Sequence, residues 1–118
     1  MTDWWTRLFD AIDRKDTAAF LSFLAEDAVF QFGNAPPVRG RAAIGAAVSG
    51  FFGAIGGSQH QLLRDFSGPD ARACQGEVSY TRLDGSTVTV PFANVLVMRG
   101  ELVAGYHIYI DLTPLFAA

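Results

Sequence analysis

The chain has 118 residues, 50% of them apolar, 18% charged and 13% aromatic, with a formal net charge of −3. That length suits one domain spanning residues 1–118 and can bury about two-thirds of the unfolded chain's surface without metal or disulfide support. The single Cys74 excludes a disulfide framework and a multi-cysteine zinc site, and nine Lys and Arg against twelve Asp and Glu, with no basic run, argue against nucleic acid as a partner.

No apolar stretch approaches the roughly 20 residues of a membrane span, and Met1 leads straight into charged, amphipathic sequence. A cytoplasmic protein is expected. From an N-cap at Thr2 or Asp3, residues Trp5, Leu8, Phe9 and Ile12 recur at i, i+3, i+4 and i+7, which is one helical stripe. Arg14-Lys15 closes this helix near the negative end of its dipole. Asp16 then caps a shorter helix that turns Phe20, Leu21 and Leu24 inward. Val29–Phe32 reads as a short strand, ended by Gly33-Asn34 and Pro36-Pro37. A third helix from about Gly40 carries Ile44, Val48, Phe51, Phe52 and Ile55 on one face. Its Gly45, Gly50 and Gly53 each cost about 1 kcal/mol relative to Ala and suit places where another element approaches closely. After Gly56-Gly57 the pattern becomes strands, over about 58–67, 71–83, 86–99 and 101–112. Asp84-Gly85 reads as a two-residue hairpin turn and Arg99-Gly100-Glu101 as another tight turn. Helices followed by an antiparallel meander predict an α+β fold with three helices on one sheet.

The hairpins predict a register. With Asp84-Gly85 in the turn, Leu83 faces Ser86, and Glu77 faces Phe92 further along. The Gly100 turn sets Asn94 opposite Gly105 or His107. Phe92, Asn94, Leu96 and Met98 then share a face with His107, Tyr109 and Asp111, while Val78, Tyr80, Ala93, Val95, Val97, Tyr106, Ile108 and Ile110 take the other. Pro91 cannot donate to the ladder, and a slip there would move Glu77 and Ser79 across. Three helices cover one face only, so the purely apolar face is expected to pack against a second copy, and the mixed face to line a pocket.

His107, Tyr109 and Asp111 fall at i, i+2 and i+4, on one side of one strand. A carboxylate there, partly desolvated among aromatics, would suit a general base. Tyr109 and Asn94 would donate to an oxyanion, and His107 would relay a proton. Phe30, Phe32, Phe51, Phe92, Leu96, Met98 and Glu77 are expected to line the substrate site. The alternative is structural: Asp111 capping a turn before Thr113-Pro114, with His107 and Tyr109 as bonded core groups. His60 is a pocket-rim residue or an ordinary histidine, and Cys74 reads as a small buried hydrophobe. Two histidines far apart predict no metal.

Residues 23–30 (FLAEDAVF) and 39–44 (RGRAAI), with a meander closing on Tyr109-Ile110-Asp111-Leu112, resemble the SnoaL-like polyketide cyclases. The wider likeness is to the nuclear transport factor 2-like superfamily, which includes ketosteroid isomerases and limonene epoxide hydrolases. The resemblance covers essentially the whole chain. It implies a cone-shaped α+β barrel, a curved sheet wrapped by three helices around an apolar pocket, commonly dimeric through the outer sheet face. It also implies Asp111 as the acid/base residue of the last strand. The isomerase base position holds Phe32, its oxyanion tyrosine position Leu8, and its oxyanion aspartic acid position Asn94. The hydrolase positions for an arginine and a second aspartate hold Glu77 and Ser79. Two functions follow as expectations. One is a cofactor-free enzyme moving protons on a hydrophobic carbonyl compound, in cyclisation or isomerisation. The other is a non-catalytic ligand-binding or dimerisation module of the same fold.

Overall fold

The amphipathic start folds as its periodicity dictates. In the structure, a computed structural model describing residues 3–116, α1 (Asp3–Asp13) buries Trp5, Leu8 and Phe9. The N-cap expected at Thr2 lies outside the described residues, and Asp3 is the first helical residue. The Asp16 carboxylate caps α2 (Thr17–Leu21) by accepting from the Ala19 amide at 3.0 Å. β1 (Leu24–Phe32) and β2 (Val38–Arg39) precede α3 (Arg41–Gly53), which buries Ile44, Val48 and Phe52. A Cβ at Gly45 would meet Leu21 at 3.0 Å, so this glycine lets α2 approach α3; Gly50 and Gly53 have no such neighbour. β3 (Gly57–Asp65), β4 (Ala71–Thr81), β5 (Thr87–Arg99) and β6 (Leu102–Ile110) form the meander, and α4 (Thr113–Phe116) follows.

The result is an α+β fold with helices packed against a curved, unclosed mixed sheet of strand order β2-β1-β6-β5-β4-β3. The meander is antiparallel, while β1 joins β6 in parallel. No hairpin links those two strands, and the intervening chain supplies the long crossover that a parallel pair requires. Trp5, Phe20, Leu24, Ile44, Leu96, Val103 and Tyr106 form the centre of the core between helices and sheet.

The first hairpin differs from the expected register by one residue, while the second begins in one of its two expected registers and leaves it at a bulge. At the first, the Arg82 amide donates to the Ser86 carbonyl, so three residues form the loop, with Gly85 in the left-handed region at φ 90°. Ser79 therefore faces Thr89, Glu77 faces Pro91, and Cys74 faces Asn94. At the second, Arg99 pairs with Leu102 and Met98 with Val103, consistent with a two-residue turn. Val97 then pairs with Gly105, leaving Ala104 as an extra residue on β6. That bulge moves every later β6 side chain to the opposite face. Asn94 faces Ile108 rather than Gly105 or His107.

The inner, helix-covered face consequently carries Val78, Tyr80, Phe92, Asn94, Tyr106, Ile108 and Ile110. The outer face carries Glu77, Ser79, Ala93, Val95, Val97, His107 and Tyr109. Among the described residues no helix covers it: Val95, Val97 and Tyr109 are 40%, 50% and 62% exposed. The expected division into a purely apolar outer face and a mixed inner face is thus corrected by the Ala104 bulge and the three-residue loop.

Candidate active site

Between the inner sheet face and the helices lies a cavity of about 250 Å³. Its walls are aromatic: Phe20 from α2, Phe30 and Phe32 from β1, Phe51 and Phe52 from α3, and Phe92 from β5. The polar groups reaching it are Ser58, His60, Tyr80, Asn94 and Tyr106.

His60 stands out because its ring is held at Nδ1 and packed against two phenyl rings. Nδ1 lies 2.6 Å from Asp13 Oδ1, and the His60 backbone N–H donates to Asp13 Oδ2 at 2.9 Å. The imidazole stacks on Phe9 at 4.7 Å between ring centres and meets the face or edge of Phe92 at 5.4 Å and 79°. Ser58 Oγ donates to Asp13 Oδ1 at 2.8 Å. Asp13 is the last residue of α1, where the dipole's negative end disfavours a carboxylate. Three donors from β3 compensate that placement. A carboxylate on Nδ1 selects the tautomer protonated there and leaves the Nε2 lone pair available as a base.

Asn94 is 2% exposed, and its Oδ1 has no hydrogen-bond partner. Burial pushes the hydroxyls of Tyr80 and Tyr106 well above the usual phenol range, so both remain donors at neutral pH. Burial likewise pushes the Cys74 thiol up to about 12 from 9.0. These three groups make stability fall in alkali. Above pH 9 the unfolded chain releases the Cys74 proton while the folded chain retains it, and above pH 10 the same applies to the tyrosines. Each such group costs about 1.4 kcal/mol per pH unit within its window. The expected result is a steep fall in the thermal midpoint between pH 9 and 11, with the early part of the slope removed in Cys74→Ala. A midpoint flat to pH 11 would contradict it.

The other expected site residues divide by face. Phe30, Phe32, Phe51, Phe92 and Asn94 line the cavity. Leu96 is in the core, Met98 packs against its edge, and Glu77 is exposed on the outer face. His107 and Tyr109 also lie outside the cavity, for the reason given by the Ala104 bulge. Asp111 follows the end of β6, where its fully exposed carboxylate accepts from the Thr113 amide at 3.0 Å. That bond holds it below the usual carboxylate range, opposite to what a general base needs. The expected grouping of Asp111, His107, Tyr109 and Asn94 is therefore not brought together around the cavity: only Asn94 is there. Sequence reasoning raised His60 only as a rim residue and did not single out Asp13. The available signal was an acid in the last turn of an amphipathic helix, against its dipole.

The sequence matches the model of the SnoaL-like domain over residues 5–106. The chain belongs to the SnoaL-like domain family. Among solved structures it is similar to a nuclear transport factor 2-like protein of unknown function from Burkholderia pseudomallei, with a TM-score of 0.88 at 15% identity, covering 99% of this chain and 97% of that one. TerC, co-crystallised with polyporic acid, gives a TM-score of 0.82 at 18% identity, covering 96% and 92%. A protein assigned as a polyketide cyclase from Xanthomonas campestris gives 0.79 at 21% identity, covering 98% and 93%. At these identities the likeness establishes the fold of a SnoaL-like domain and nothing finer. No curated protein matches the sequence significantly. Among the described residues no helix is long and apolar enough to cross a membrane, and no three His, Cys, Asp or Glu side chains gather as a metal set.

Proposed function

We propose that this SnoaL-like domain is an acid–base enzyme acting on a hydrophobic carbonyl compound, in a cyclisation or isomerisation. The observation that carries this reading is the Asp13–His60 pair set against an apolar cavity. In the proposed step His60 Nε2 removes a proton from the carbon next to the substrate carbonyl. The electron pair moves into the enolate, whose oxygen accepts from Tyr80, Tyr106 or the Asn94 amide. Asp13 stabilises the imidazolium. His60 then returns the proton to another carbon in an isomerisation, or to the new alkoxide after an aldol-type ring closure. TerC with polyporic acid is a case of a protein of this fold crystallised with a small organic molecule, in keeping with a ligand site here.

The test needs no knowledge of the natural substrate. In D2O, NMR follows exchange of the α-protons of 2-tetralone and smaller cyclic ketones. Exchange is expected above the buffer rate with the wild-type protein and with Asp111→Asn. A folded wild type that accelerates exchange of no ketone would overturn the reading.

The bare outer face is the proposed contact with a second copy, giving a homodimer. Val95, Val97 and Tyr109 form an exposed apolar strip beside Ala93 across β5 and β6, the kind of surface on which protein contacts form. Light scattering at micromolar concentration should give a dimer for the wild type and a monomer for Val95→Glu/Val97→Glu. A monomeric wild type would remove the proposal.

A further inference from the structure

We propose that ligands reach the cavity through a mouth between the β1–β2 loop and α3, and that the methyl side chain of Ala47 sets how wide a molecule can pass. This rests on the cavity being the substrate site, as argued above, and adds the way in and the residue that selects there.

Exposure locates the mouth. Of the described residues lining the cavity, three are exposed: Ala35 and Pro36 in the β1–β2 loop, and Ala47 in α3. Ala47 is at the middle of α3, where the helix shields its own backbone, so the atom that meets solvent is the methyl. An alanine that both lines a cavity and faces water stands where the cavity opens. Half-buried Val38 and Phe51 continue the rim on either side. All five are apolar, and no Lys, Arg, Asp or Glu lines the space behind them, so an ion entering here would shed its water with nothing in exchange.

Both walls of the mouth are firmly held. In the loop, the Gly33 amide donates to the Ile108 carbonyl at 2.9 Å and the Ala35 amide to the Phe32 carbonyl at 3.1 Å. Gln31 Nε2 donates to the Ala35 carbonyl at 3.1 Å, and Pro36-Pro37 have fixed φ. On the other side, Ile44, Val48 and Phe52 anchor α3 in the core, and Phe51 packs edge-on against Phe32 at 4.8 Å between ring centres. Neither wall can draw back freely when the gap narrows. A long side chain on a helix leans toward the helix N-terminus. A ring at position 47 would therefore lean toward the end of α3 that follows β2, where Val38 stands. Alanine leaves that way open.

Two isomeric probes test this, 4-ethylphenol, which is narrow, and 3,5-dimethylphenol, which is wide. Both are uncharged at neutral pH, and NMR exchange measurements give their association and dissociation rates. In Ala47→Phe both rates for 3,5-dimethylphenol are expected to fall about tenfold or more, as pushing a packed ring aside requires. Those for 4-ethylphenol should fall about threefold or less. The Kd of each should stay within about threefold, because a bound ligand lies beyond the mouth. Ala47→Leu should slow the wide probe by an intermediate amount and keeps the test alive if Ala47→Phe does not fold. Ala46→Phe is the control: Ala46 is exposed on the same helix without lining the cavity, and both probes should exchange as in wild type. Wild-type rates in both Ala47 variants, equal slowing in Ala46→Phe, affinity lost at an unchanged association rate, or no binding of either probe to wild type would each overturn the proposal. Neither probe is a ketone, so these results are independent of whether His60 moves protons.

Discussion

His60→Ala is expected to lower the rate of α-proton exchange by about 10²–10⁴-fold, the usual contribution of one positioned acid–base group. Asp13→Asn should lose nearly as much for a different reason. Its amide can donate to Nδ1, which turns the imidazole to the other tautomer and places the proton on Nε2, where the lone pair is needed. The two variants are distinguishable by added imidazole, which should restore part of the rate to His60→Ala and none to Asp13→Asn. Circular dichroism supplies the control for folding, since Asp13 also accepts from Ser58 Oγ and the His60 amide. If both variants exchange α-protons as fast as wild type, the dyad has no catalytic part. If Asp111→Asn loses the activity instead, the exposed end of β6 takes its place.

Much of the fold was legible because long periodic segments report which side of an element is apolar. The stripe of Trp5, Leu8 and Phe9 gave α1, and Asp16 marked the next helix by the chemistry of its own cap. The site was less legible because facing in a strand depends on parity, and parity is lost at a single inserted residue. Gly105, beside Ala104, is the local sign of a bulge, since an isolated glycine inside a strand often marks one. Alternation carried straight through it places His107 and Tyr109 at the cavity, and the one inserted residue moves them to the outer face. Asn94 survived because it lies on β5, whose inner face is fixed by Phe92 and Leu96 on either side. The Asp13–His60 pair was hidden for another reason. Its members are 47 positions apart and meet only because α1 crosses β3. No spacing rule reports such a meeting. What remains visible in sequence is the misfit of an acid at a helix C-terminus, the kind of local conflict that functional sites retain.

Gly76→Ala should be among the most damaging single-methyl additions in this chain. Gly76 lies on the inner face of β4, paired with Leu62 on one side and Phe92 on the other. A Cβ there would overlap the Gln61 carbonyl oxygen and approach two ring carbons of Phe92 to 2.9 Å. The carbonyl is backbone and cannot rotate away without breaking the β3–β4 ladder. Nor can the Phe92 ring withdraw freely, since it meets Phe9 at 5.7 Å and His60 at 5.4 Å. Overpacking of this kind costs about 1–3 kcal/mol, and the upper end is expected because both neighbours are constrained. Urea denaturation should show that loss, and the displaced Phe92 should disturb His60, lowering α-proton exchange beyond what stability alone explains. Phe92→Leu in the Gly76→Ala background tests how the loss divides. Shortening the ring relieves its contact but not the one with Gln61, so the double variant should recover part of the stability and not all of it. Full recovery would place the strain in the ring alone. A Gly76→Ala protein within about 0.5 kcal/mol of wild type, the range of ordinary surface changes, would mean that β3 and β4 do not approach as closely as the structure has them.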